Sequence, residues 1–245
     1  MTADLELKID GESALPTSPS ESLAIPNAAA LTEDLALARL KQSDLTDGDV
    51  DQIARVDGLM KSRKVRIAIA SHPRSPRRLA LRLIRELFTF ELVQFAMAPA
   101  VAADLRRVAD EVLLSRLASI SLGERISLAR RSSQRVAGAL LLDKEKVVWQ
   151  PALENPRLTE ASVVKAVQRS SCAPALVEAI SHHAKWSVRL EIRSALLRSP
   201  HTPFARAIEF ARRIPPGTLR DILHTSLLPE NTKAYLRKSL EAKGK

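Results

Sequence analysis

Glycine is scarce, seven in 245 residues, where an average chain devotes about 7% of its residues to it. Hairpin turns and phosphate-cradling loops depend on glycine for positive φ and for close backbone approach. A sheet-rich fold and a glycine-loop nucleotide site are therefore both poorly provided for. Aromatic residues make up 3%, so Leu, Ala, Ile and Val must supply the core, and few rings are left to stack on bases. The single cysteine, Cys172, can form neither an internal disulfide nor a multi-thiolate metal site. Its setting, SSCAPALVEAI, predicts a buried thiol at the start of an apolar helix. No run of about 18 apolar residues occurs; the nearest stretch, FTFELVQFAMAPAVAADL, is interrupted by Glu91, Gln94 and Pro99. The opening MTADLELKID is acidic where a secretory signal would be basic and then apolar. A soluble, cytoplasmic chain without a membrane span is expected.

What is present favours helix. Hydrophobic residues reach 45%, and Leu, Ala, Arg and Glu are good helix formers. Charge is divided unevenly along the chain. Residues 1–60 carry 12 acidic and 4 basic side chains, whereas residues 61–245 carry 34 basic and 16 acidic. Nucleic acid, anionic lipid and acidic protein surfaces all become conceivable partners for so basic a body. Residues 1–27, rich in Ser, Pro and Glu, offer too little apolar surface to offset chain entropy and are expected to be a disordered acidic arm. The remainder, 28–245, reads as one helical domain.

A stop-and-restart signal recurs from Lys61 onward. HPRSPRRLALRLIREL from His72, NPRLTEASVVKAVQ from Asn155 and SPHTPFARAIEFARR from Ser199 each carry a proline that ends one helix. Ser75, Thr159 and Thr202 then stand where an N-cap is wanted, and Pro76 and Pro203 fit the first helical position. Weaker corners fall at Pro99, Ser133 and Ala184. With positions 73, 156 and 200, these corners lie between 16 and 34 residues apart, a drifting array of helix pairs. Leu79, Leu83 and Leu87, with Ile84 beside them, form an apolar stripe, as do Val163, Val164, Ala166 and Val167. EKVVW (145–149), which could pass for a strand, is read as a helix start. Such short helices are marginal alone and must be stabilised by stacking.

KVRIAIASHPRSP, VVWQPALENPRLTE and RLEIRSALLRSPHTP resemble units of the HEAT-like superfamily, most closely its leucine-rich-repeat-variant branch, over roughly residues 61–215. The resemblance implies an all-α, right-handed solenoid whose inner face binds proteins and, in some members, nucleic acid.

No HExxH, CxxC, GxSxG or phosphate-loop pattern is present. His72, His182, His183, His201 and His224 show no metal-ligand spacing, and no cofactor is expected. The Asp-rich stretch from Asp44 to Asp57 lacks the closing Glu of a calcium loop. Trp149 and Trp186 are expected to pack at repeat junctions. The arginines stand out. Arg74, Arg78, Arg82 and Arg85 cluster on one helix and its entry corner, Arg131 and Arg135 flank the Ser132–Ser133 break, and Arg189 and Arg193 are four apart, as on one helical face. Solvated helix faces would explain them; a guanidinium stripe gripping carboxylates or phosphates would too. Three function classes follow: a non-catalytic scaffold holding an acidic protein partner, a nucleic-acid binder using an Arg-rich concave face, and, more remotely, an alkylated-base DNA glycosylase.

Overall fold

The computed structural model describes residues 31–42 and 44–243; the arm expected over 1–27 lies outside the described residues. Sixteen helices, and no strand, occur among the described residues. An opening cluster comprises α1 (Glu33–Arg39), α2 (Asp47–Ala54) and α3 (Asp57–Met60). Arg55 and Val56 separate α2 from α3. The helices that follow alternate between two layers. One layer holds α4 (Arg63–Ser71), α6 (Thr89–Met97), α8 (Leu122–Arg131), α10 (Lys146–Leu153), α12 (Pro174–His182), α14 (Phe204–Arg212) and α16 (Glu230–Lys243). The other holds α5 (Arg77–Glu86), α7 (Ala103–Arg116), α9 (Gln134–Leu140), α11 (Glu160–Val167), α13 (Leu190–Leu196) and α15 (Pro216–Thr225).

Contacts advance along the chain in order. In the odd layer α5 meets α7, α7 meets α9, α9 meets α11 and α11 meets α13; in the even layer α8 meets α10, α10 meets α12 and α14 meets α16. Every substantial contact joins helices one to three places apart. The expected stripes face inward: Leu79, Leu83, Ile84 and Leu87 are buried, as are Val163, Ala166 and Val167, while Val164 is half-buried. Burying a Leu or Val side chain contributes about 1.5–3 kcal/mol, which helices of four to fourteen residues need. EKVVW does open a helix, α10.

Scarce glycine has a structural consequence. Many helices end in a left-handed residue, usually glycine, that satisfies the last carbonyls. No described residue has positive φ. The orphan carbonyls are capped instead by side chains from further along the chain. Arg116 donates to the carbonyls of Leu87 (2.6 Å) and Arg85 (2.5 Å) at the end of α5. Asn155 Nδ2 donates to those of Ala129 (2.8 Å) and Ser132 (3.3 Å) at the end of α8. Trp186 Nε1 caps α10 through Leu153 (2.9 Å), Arg206 Nε caps α12 through Ser181 (2.8 Å), and Ser226 Oγ reaches Leu197 behind α13 (2.6 Å). These pairs therefore close the ones before them.

Because successive helices run antiparallel, their corners fall on two edges. The first edge carries the even-to-odd corners, including those at Pro73, Pro99, Ser133, Pro156 and Ala184. The Pro200 corner follows α13 and lies on the second edge, although its sequence copies the others. Its spacing of 16 residues from Ala184 is a step across the stack, not along it. The caps also differ from expectation. Thr159 does accept the Ser162 N–H (3.4 Å) as the N-cap of α11. At α5 and α14, however, Pro76 and Pro203 are themselves the N-cap residues. Thr202 turns back instead to the Leu196 carbonyl (2.6 Å), a C-terminal acceptor that a helix as short as α13 leaves open.

Candidate functional site

On the solvent side of the odd layer, α7, α9 and α11 enclose a groove of about 810 Å³. Small residues create it. A Cβ on Gly138 would lie 3.2 Å from Ser162 Cβ, so α9 approaches α11 more closely than a larger residue would permit. Ala139, Ala161 and Leu114 continue an apolar floor, and Arg135, Lys165 and Arg169 stand on the rim. No acidic residue lines the groove. Arg135 pairs with exposed Glu111 at 3.2 Å; Lys165 and Arg169 have no carboxylate within 4.0 Å among the described residues. Sequence reasoning identified Arg135 alone. The groove's signal was available as small residues at exposed helical positions, in RVAGAL and EASVVKA.

The predicted arginines are distributed as follows. Arg78, Arg82 and Arg85 are exposed on α5, and Arg74 is exposed at its entry corner. Arg131 is exposed at the end of α8, in the other layer, so it does not join the α5 cluster. Arg189 is the exposed N-cap of α13 and faces Glu160 at 3.6 Å. Arg193 is buried, 9% exposed, and its Nε donates to the Ser187 carbonyl at 2.7 Å. The expectation that Arg189 and Arg193 share one binding face is corrected: Arg193 points inward and caps the turn before its own helix.

A second set of cations was only half seen. His72 Nδ1, Asn155 Oδ1 and His183 Nδ1 accept the backbone N–H two residues on, at 3.1, 2.8 and 3.2 Å. The residues so held are Arg74, Arg157 and Lys185, one at each of three first-edge corners, all exposed. Acceptance at Nδ1 fixes the imidazole tautomer, with the proton on Nε2, and His183 Nε2 donates to Glu154 (2.9 Å). The histidines thus shape corners.

The remaining candidates are structural. Cys172 is buried, and burial pushes its thiol up to about 11, well above the range of reactive thiolates. Trp149 and Trp186 are 3% and 2% exposed. The Asp44–Asp57 stretch supplies a capping box, in which Asp49 accepts the Thr46 N–H at 2.9 Å and Thr46 Oγ1 accepts that of Asp49. Those bonds from Thr46 hold the Asp49 carboxyl below its usual range. No cluster of metal-ligating side chains occurs among the described residues, and no helix there is long and apolar enough to cross a membrane.

Fold and surface together define an all-α protein of stacked helix pairs with a basic, apolar-floored groove in one layer. No family model, curated protein or solved structure matches this chain.

Proposed function

We propose that this chain is a non-catalytic interaction scaffold whose α7–α9–α11 groove receives an acidic amphipathic helix from a protein partner. The observation that carries this reading is the pairing of an apolar floor with a rim of three cations, of which Lys165 and Arg169 have no carboxylate within 4.0 Å among the described residues. A helix docks in such a groove through an apolar stripe at i, i+3/i+4 and i+7 spacing, and carboxylates flanking that stripe would meet Arg135, Lys165 and Arg169. Stacked pairs suit the role because neighbour contacts alone hold the surface open. The HEAT-like, leucine-rich-repeat-variant assignment and its right-handed curvature belong to the same proposal.

Matched amphipathic helical peptides, one acidic and one basic on the polar face, provide the test. The acidic peptide is expected to bind and to shift the amide resonances of Gly138 and Ala161; Ala161→Trp, which fills the groove, should weaken it at least tenfold. Equal binding of the basic peptide, or shifts confined to the even layer, would refute the assignment.

A further inference from the structure

We infer that the first edge of the stack is a second binding surface, one that grips the phosphodiester backbone of a nucleic-acid duplex. This does not rest on the groove. Arg74, Arg131, Arg157 and Lys185 occupy the corners after α4, α8, α10 and α12, leaving only the Ala98–Pro99 corner between them without a cation. All four are exposed, and none has a carboxylate within 4.0 Å among the described residues.

The last three corners are tied directly together. Asn155 bonds to the Ser132 carbonyl, and His183 and Trp186 bond to Glu154 and Leu153. Arg131, Arg157 and Lys185 therefore form a continuous row with a rigid base, because two of the three have their backbone N–H held by a corner side chain. Packed helices lie roughly 8–10 Å apart, so the row advances by about three phosphates of one strand per step, at about 3.4 Å each. Acidic side chains at these corners include Glu154, engaged by His183, and Glu160, which faces Arg189 at 3.6 Å.

The chemistry of the edge selects among polyanions. Single strands and membrane surfaces are both met by exposed rings, the first for stacking and the second for insertion. The exposed rings Phe88, Phe90 and Phe204 lie at the starts of α6 and α14, on the opposite edge, and the exposed ring of Tyr235 on α16 packs against Phe204 with centroids 5.5 Å apart. Trp186 is buried with its N–H already used. What remains is a line of cations without exposed rings among them, which suits contact with the phosphates of a duplex backbone.

Fluorescence anisotropy of the full chain with a labelled 30-base-pair duplex, titrated across salt, tests the inference. Four phosphate contacts at a slope of about −0.9 each predict a log–log salt slope near −3.6. Affinity should then fall about a hundred-fold between 50 and 200 mM salt. The combined substitution Arg74→Gln, Arg131→Gln, Arg157→Gln and Lys185→Gln alters exposed side chains and leaves the corner N–H bonds in place. It should abolish most of the slope, and each single change should reduce it by about 0.9. Ala161→Trp, in the groove, should leave duplex affinity unchanged. The inference is overturned if the wild-type chain fails to bind the duplex, whether or not it binds phosphatidylserine vesicles. A quadruple variant that retains the slope, or an Ala161→Trp variant that loses binding, would overturn it equally.

Discussion

Asp110 is a carboxyl inside the stack, 8% exposed, with Ser133 Oγ donating to it at 2.7 Å. Burial raises its pKa, opposed in part by that hydroxyl and by the charge of Arg135. A carboxyl with a raised folded-state value favours the protonated form. Its contribution to stability is complete below the unfolded value and is lost as pH rises through the folded one. Asp110→Asn retains an acceptor for Ser133 and removes the charge. The variant should melt higher than wild type near neutral pH and match it in acid, which thermal unfolding at two pH values would measure. At this scale the sequence was partly legible. The burial of Cys172 followed from its apolar helix, whereas the burial of Arg193 did not. A four-residue interval places two arginines on one side of a helix but does not say which side meets the core. Asp110 sits in RRVADEVLL, a charged run where periodicity alone could not separate a buried carboxyl from the exposed Glu111 beside it.

Among the elements, the corners carry the cohesion, and Asn155 shows how. It is fully buried, donates to two carbonyls of the preceding pair, and accepts the Arg157 N–H. Asn155→Ala would leave those groups buried without a partner, at about 1–3 kcal/mol for each group so stranded. The expected loss is about 2–3 kcal/mol in urea unfolding, since the corner relaxes and water enters in part; a loss below 0.5 kcal/mol would contradict the capping role. Proline marked these corners in the sequence because it removes a donor at a fixed place. Cap assignments were less legible: Ser75 and Thr202 have the right chemistry one residue too early, and at Thr202 the nearest unmet acceptor was a carbonyl behind it. The groove was the least legible element. Gly138 and Ala161 read as ordinary helix residues until α9 and α11 are brought side by side.

Taken as a whole, the molecule is held together by neighbour contacts, so its cooperativity depends on every junction. At the α9–α11 junction Gly138 leaves little slack against Ser162. Gly138→Leu forces the two helices apart at an overpacking cost of about 1–3 kcal/mol. We expect urea unfolding to separate into two steps, with hydrogen-exchange protection in α4–α8 and α12–α16 no longer lost together. A single unchanged transition would show that the even layer alone couples the halves. The progression of pairs was legible because consecutive short amphipathic helices have nowhere else to bury their apolar sides; the two edges were not, since a corner's sequence does not record its parity. The two edges also bear on how the fold tolerates change. First-edge corners are separated by one helix thickness, whatever number of residues lies between them. An insertion that lengthens a hairpin, as in the 14-residue α7, pushes the far border outward and leaves the near border's ruling intact. Chain length can drift from pair to pair while the step from one corner to the next, about 8–10 Å between packed helices, is kept.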